Sequence, residues 1–351
     1  MNRANLFGIL SIIFILTVLV SPSVSQQPDN VATPEILGKL VDVGGHKLHL
    51  NCTGKGRFTV VTESGASDFS FDWNLVQTEV ARFTRICTYD RAGYAWSEAG
   101  PLPRTMRQIS YELHSALLKA GVKPPFVLVG QSLGGLIIRV FAEQYRKEVA
   151  GMVLVDSANE DQLVGIIDAA TNQGKIVHWR ETSRGRPIPP IQSTMPASGG
   201  TNPTQAMTRS SAQPKIGAPF DKLPLEIQQI RLWAVSQPNY NPARISEFDF
   251  IGEEIASIYE ERLKLRQSLG DMPLIVLSRG VNEYPDKDEV VNKRLIEDHE
   301  RLQVDLTTLS SNNKQIIAKT SGHHIQLDDP GSVTDAVKQV VNAARHHSKL
   351  R

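Results

Sequence analysis

From residue 38 onward the apolar positions follow two alternating patterns. Short runs rich in β-branched residues predict strands: KLVDVG (39–44), KLHLNC (47–52), FTVVTE (58–63), TRICTYD (84–90), FVLVG (126–130), GMVLVD (151–156), PLIVLS (273–278) and QIIAKT (315–320). Between several of them apolar residues recur at helical spacing, over 110–121, 133–147, 288–310 and 332–347. In the second helix Leu136, Ile137, Val140 and Phe141 mark the face that should be buried. The first two strands flank Gly44-Gly45 and read as a hairpin. The later runs are continuously apolar and alternate with helices, as in a parallel sheet covered on both faces. The pattern predicts a doubly wound α/β fold with a mostly parallel, eight-stranded sheet.

This rhythm stops between Asp156 and Pro273. Residues 180–224 are rich in Pro, Ser, Gly and Thr, whereas LEIQQIRLWAVS (225–236) and residues 247–270 return to helical spacing. An insertion of helices and loops after the sixth strand reads as a lid over the sheet's C-terminal edge, where open α/β sheets bind ligands. The expected layout is a core over 38–158 and 265–347, a lid over 159–264 and a linker over 26–37. Before the linker, Arg3 precedes the apolar run LFGILSIIFILTVLV (6–20), with small residues at Ser23 and Ser25. That layout fits a secretory signal over residues 1–25, and the run is short for a membrane span. The expected location is therefore secreted or periplasmic. Left uncleaved, the segment would give a transient membrane association.

Composition narrows the partners. The chain of 351 residues carries 38 basic against 37 acidic side chains, so no electrostatic case exists for nucleic acid. Its two cysteines, Cys52 and Cys87, lack the CxxC spacing of zinc or dithiol redox sites.

One stretch raises a chemical question. VLVGQSLGG (127–135) places Ser132 between glycines, after the fifth strand and at the start of a helix. The serine could simply cap that helix. The strand-to-helix context instead favours a strained turn that exposes the hydroxyl for attack, beside the unpaired N–H groups of the helix start. Such a hydroxyl needs a base. Of nine histidines, only His323 and His324 in SGHHIQLDDP (321–330) stand at the C-terminal end of a strand and in the required order after the serine.

With TYDRAGYAWS (88–97) added to these two stretches, the chain resembles the serine-nucleophile branch of the α/β-hydrolase family over residues 38–158 and 265–347. The resemblance places the base seven residues before Pro330, which selects His323 and leaves His324 as a neighbour. The acid usually follows the seventh strand, where this chain has Asn282 or Glu283, with Asp286 beyond. Some members place it after the sixth strand, which gives Asp156, the residue expected here. The acid would hold the imidazole tautomer.

The implied oxyanion hole uses the backbone N–H of Leu133 and that of Ala66, in a loop where Ser64 replaces the family's His and Gly65 is kept. Tyr94 and Trp96 are expected near the pocket, and Asp90 and Arg91 are expected to fix their loop by ion pairing. Strand order in the family makes the second and fourth strands neighbours, which implies a Cys52–Cys87 disulfide in an exported chain.

The resemblance implies hydrolysis of small-molecule esters without metal or organic cofactor. Lactone, amide and carbon–carbon bond cleavage are the alternatives within the fold. A non-catalytic binding module of the same fold is the alternative outside enzymology.

Overall fold

In the computed structural model the described residues are 33–167, 174–194, 216–265, 267–281 and 289–350. Every element below belongs to one compact unit, Pro34–Arg351. Its strands are β1 (Lys39–Asp42), β2 (Lys47–Thr53), β3 (Thr59–Glu63), β4 (Arg85–Tyr89), β5 (Phe126–Gln131), β6 (Val149–Val155), β7 (Leu163–Ile167), β8 (Gly174–His178), β9 (Leu274–Arg279) and β10 (Asn313–Ala318). The helices are α1 (Asn74–Val80), α2 (Met106–Lys119), α3 (Leu133–Gln144), α4 (Leu225–Val235), α5 (Tyr240–Ser246), α6 (Ile251–Lys264), α7 (Glu289–Thr307), α8 (Ile325–Asp328) and α9 (Pro330–His346).

Eight strands form one sheet in the order β1-β2-β4-β3-β5-β6-β9-β10. The β1/β2 and β2/β4 pairs are antiparallel, and the remaining five are parallel. Side chains alternate between the two faces along each strand. Val61, Leu128, Leu154 and Val276 point to one face, where Leu113 and Leu117 of α2, Ile138 and Phe141 of α3, and Leu306 of α7 cover them. Val60, Val127, Val153 and Ile275 point to the other, under Val76 and Val80 of α1 and Val337, Val340 and Val341 of α9. Both faces are dry, so these strands read as unbroken apolar runs. Deleting one such side chain, as in Leu128→Ala, is expected to cost about 2–5 kcal/mol.

All eight sheet strands lie where the apolar pattern puts them. Cys52 and Cys87 stand directly opposite each other on β2 and β4 and are joined by a disulfide. The insertion after β6, the sixth strand of the sheet, contains α4, α5 and α6, together with an antiparallel β7–β8 hairpin that the sequence pattern does not announce. Helix α1 is a second addition, seven residues long, whose buried Val76 and Val80 are spaced one turn apart.

One expectation needs correcting. Membrane association through the N-terminal segment is not sustained: among the described residues no helix is long and apolar enough to cross a membrane. Residues 1–25 themselves lie outside the described residues.

Candidate active site

Ser132 sits between β5 and α3 with φ 52° and ψ −123°. A non-glycine residue in that region costs about 1–3 kcal/mol and persists only when its surroundings hold it there. Here they do. The Ser132 N–H donates to the Val155 carbonyl at 3.2 Å, and its carbonyl accepts from Gly135 and Ala158, each at 3.0 Å. The flanking glycines are required by close approach. A Cβ on Gly130 would stand 2.5 Å from the Gly134 oxygen, and one on Gly134 would meet the Glu63 and Ser64 carbonyls. Ser132 is thus fixed at the C-terminal edge of the sheet by β6 and by its own helix.

His323 arrives from the loop after β10. Asp328 accepts from the Gly322 N–H at 2.8 Å, and the Gln131 side chain donates to the His323 carbonyl at 3.2 Å. These contacts set the loop against the residue that precedes Ser132. The His323 Nδ1 lies 2.6 Å from Asp156 Oδ2. A proton held on Nδ1 by that carboxylate makes Nε2 the basic nitrogen. Ser132, His323 and Asp156 line one cavity of about 300 Å³.

Asp156 follows β6 at φ 40°, with its N–H held by the Leu277 carbonyl at 2.7 Å. Its carboxylate has no solvent exposure, and four donors surround it. Besides His323 these are His299 Nε2 at 2.9 Å, Arg279 Nη1 at 2.6 Å and the Arg279 backbone N–H at 3.1 Å. Burial by itself would raise its pKa. The hydrogen bonds from His299 and His323 and the Arg279 charge outweigh burial and hold the carboxyl well below the usual carboxylate range. Nothing in the sequence flags His299 or Arg279, since α7 and the end of β9 reach Asp156 only through the fold. Asn282, Glu283 and Asp286 lie outside the described residues.

The loop after β3 stands over the start of α3. Gly65 abuts the Gln131 side chain, and Ala66 packs on the apolar cluster that includes Leu133. The Leu133 N–H belongs to the first turn of α3, whose amides have no carbonyl four residues back. The Ala66 amide is oriented from behind. Arg91 is buried, and its guanidinium donates to the Ser64 carbonyl at 2.8 Å and the Gly65 carbonyl at 2.6 Å. In a trans peptide the C=O and the following N–H point in opposite directions, so the hold on Gly65 turns the Ala66 N–H away from Arg91.

Arg91 in turn pairs with Glu63 at 2.9 Å and with Glu247 of the insertion at 2.8 Å. Asp90 does not pair with Arg91. It accepts from the Ser70 N–H at 2.8 Å and lies 2.7 Å from His49 Nδ1.

His324 turns away from Asp156 and sits 3.3 Å from Asp68. Asp68 also meets Arg231 of α4 at 3.2 Å, and Arg231 bonds Asp72 as well. Burial works against ionisation of Asp68, but the His324 bond and the His324 and Arg231 charges keep its pKa low. Burial pushes Asp72 up to about 6, with Arg231 opposing the rise and Asp68 adding to it. This cluster connects the His323 loop, the loop after β3 and the insertion. Tyr94 and Trp96 belong to a neighbouring aromatic group with Phe69, Phe71, Trp233 and Tyr240 beneath α4 and α5. They are absent from the wall of the cavity that holds Ser132.

Three comparisons bear on this geometry. The family model described as alpha/beta hydrolase fold matches residues 71–193. An uncharacterized Bacillus subtilis protein, YbdG, is 29% identical over 171 residues, which are 46% of this chain and 53% of that one. The chain thus spans about half of that relative, and a second uncharacterized Bacillus subtilis protein, YqjL, is 25% identical over 83% of this chain and 86% of its own. Among solved structures, a thermophilic esterase from Thermogutta terrifontis superposes with a TM-score of 0.57 at 18% identity, over 88% of this chain and 99% of its own. That likeness concerns the fold. With the strand order and the helices inserted after the sixth sheet strand, the chain has the α/β-hydrolase fold, and the family model of that fold matches residues 71–193 of it.

Proposed function

We propose that the protein is a serine hydrolase that cleaves small-molecule esters through an acyl-enzyme on Ser132. In this reading the Ser132 hydroxyl attacks the ester carbonyl carbon while His323 Nε2 takes its proton. The carbonyl oxygen, now negative, receives hydrogen bonds from the Leu133 and Ala66 amides. Collapse of the tetrahedral adduct breaks the bond to the alcohol, which leaves with the proton held by His323. Water then repeats the sequence on the acyl-enzyme, and the carboxylic acid is released. Asp156 holds the imidazole and stabilises its cation.

The observation that carries the reading is the 2.6 Å contact from His323 Nδ1 to a fully buried Asp156, in the cavity that Ser132 also lines. The apolar run over residues 6–20 after Arg3, read as a secretory signal over residues 1–25, and the Cys52–Cys87 disulfide support action outside the cytoplasm. The division into core (38–158 and 265–347) and lid (159–264) is part of the same proposal.

The test is hydrolysis of p-nitrophenyl acetate and butyrate by the purified chain and by Ser132→Ala. Turnover that falls by about 10⁴-fold or more in the variant supports the reading. Undiminished turnover in Ser132→Ala contradicts it. Ligand binding with no turnover in either chain would make the protein a binding module.

A further inference from the structure

Asp156 receives more donors than an acid that only orients an imidazole requires. An ionised carboxylate offers about four lone-pair sites and can only accept. Among the described residues four donors fill those sites, two on each oxygen. Oδ1 takes His299 Nε2 at 2.9 Å and the Arg279 backbone N–H at 3.1 Å. Oδ2 takes His323 Nδ1 and Arg279 Nη1, each at 2.6 Å. His323 therefore shares its oxygen with a guanidinium, and the guanidinium is the stronger competitor. It is always charged, and its fork of N–H groups is suited to gripping both oxygens of one carboxylate.

His299 opposes that competition. Its Nε2 faces a group that can only accept, so the ring carries a proton there and donates it to Oδ1. Helix α7, which brings the ring, is docked on either side of it. Asp298 accepts from the Leu163 N–H at 2.9 Å, and Gln303, one turn further on, donates to the Ser157 carbonyl at 2.8 Å. Ser157 directly follows Asp156, so the ring is fixed against the segment that carries the carboxylate. The carboxylate turns about its Cβ–Cγ bond, a torsion with a broad minimum. Both Arg279 donors come from one residue at the end of β9, whereas His299 holds Oδ1 from another element. Its bond is the one that resists a turn toward Arg279.

We propose that His299 is a positioning residue for the acid, whose bond to Oδ1 keeps Arg279 from turning the Asp156 carboxylate away from His323. This inference rests on the reading of Ser132, His323 and Asp156 as an acyl-transfer triad. Without His299, the guanidinium draws both oxygens into its fork and His323 Nδ1 loses its acceptor. The imidazole then loses its enforced tautomer, which slows both formation and hydrolysis of the acyl-enzyme. The loss belongs in kcat. His299 also lines the cavity, so a role in packing the substrate is the competing reading, and that role would show in KM.

The experiment measures kcat and KM for p-nitrophenyl butyrate on the full chain and on His299→Gln, His299→Asn and His299→Leu. Gln sets an amide N–H where Nε2 stands, and Asn is one carbon too short to do so. His299→Leu and His299→Asn are expected to lower kcat by about 10–100-fold with KM within about threefold, and His299→Gln to recover most of that loss. Adding Arg279→Lys to His299→Leu keeps a counter-charge for Asp156 and removes the fork. It is expected to raise kcat by about threefold or more over His299→Leu alone. Equal kcat in the three single variants, a change confined to KM, or no gain from Arg279→Lys overturns the inference. If Ser132→Ala and Asp156→Asn are still strongly slowed in the same assay, the triad reading stands without it. Undiminished turnover in Ser132→Ala or Asp156→Asn overturns both. Should a Leu variant fail to fold, His299→Gln and His299→Asn decide alone, and equal kcat in those two overturns the inference.

Discussion

The sheet and the insertion beside it differ in how much buried charge accompanies their apolar packing. Along β3, β5, β6 and β9, side chains on both faces are withdrawn from solvent, and apolar area does the holding. The insertion also packs by apolar area, Trp233 and Tyr240 with Phe69 and Phe71 and Ile251 and Ile255 with Leu136 and Ile137, and it adds buried charge pairs to the rest of the molecule. Glu247 meets Arg91, Arg231 meets Asp68 and Asp72, and Glu160 is shared between Arg139 of α3 at 2.6 Å and Arg262 of α6 at 2.9 Å. Glu254 of α6 accepts from the Met106 N–H at 2.8 Å, at the start of α2.

A core of area tolerates swaps that conserve volume. The buried ion pairs of the insertion do not tolerate loss of one partner, which typically costs about 3–5 kcal/mol. The site lies where the two regimes meet. Ser132 is held by strand backbone, whereas the loop over it is held by a guanidinium that also holds the insertion.

The comparison can be broken at several points. The largest effect is expected at the acid. Asp156→Asn should lower kcat by about 10²–10⁴-fold with the fold retained by circular dichroism, because the amide no longer enforces the required imidazole tautomer. Glu283→Gln should change kcat less than about threefold, and a reversal of the two results would move the acid to the loop after β9.

Next is Arg91→Lys, which keeps a charge for Glu63 and Glu247 but cannot fork across two carbonyls. Its expected signature is a kcat lower by about tenfold to a hundredfold with KM little changed, since the oxyanion is met only in the transition state. A change confined to KM would mean that Arg91 serves only the insertion.

Arg231→Met should affect the insertion more than the chemistry. Asp72 loses its guanidinium partner and Asp68 keeps only His324, so a stability loss of about 3 kcal/mol is expected in urea, with kcat per folded molecule within a few-fold. A fall in kcat as large as that of Asp156→Asn would erase the distinction between the two regions.

The smallest effect is expected at Glu254, whose pKa burial pushes up to about 7. A carboxyl that titrates higher in the folded than in the unfolded chain makes stability fall as pH rises between those two values, then level off. Glu254→Gln keeps an acceptor for Met106 and removes the ionisation. It should therefore stabilise the chain by on the order of 1–3 kcal/mol at pH 8 and by almost nothing below pH 4.5, read as thermal midpoints across that range. A pH-independent difference would contradict the assignment.

How much of this was legible in the sequence follows the same division. The strands of the sheet are visible because both faces are buried, which leaves continuous apolar runs such as FVLVG. The β7–β8 hairpin is not visible, because its five-residue strands, LVGII and GKIVH, pair only with each other and fall outside the strand–helix alternation of the sheet. Ser132 and His323 stand out by spacing and by position after a strand.

Asp156 is legible only as one of several acids. What distinguishes it is the convergence of Arg279, His299 and His323, residues 123, 143 and 167 positions away in sequence. Arg91 was legible as a loop fastener. Its grip on the Gly65 carbonyl was not, because that depends on which way a single peptide faces.

Acyl transfer at Ser132 is tested most directly by covalent capture. The chain is treated with a fluorophosphonate, the modified peptide is located by mass spectrometry, and residual hydrolysis of p-nitrophenyl butyrate is followed in parallel. The account expects one adduct per chain, on Ser132, with activity lost in proportion and both slowed by excess butyrate ester. Full turnover in a chain wholly modified at Ser132, or loss of activity that tracks an adduct on another residue, would contradict it.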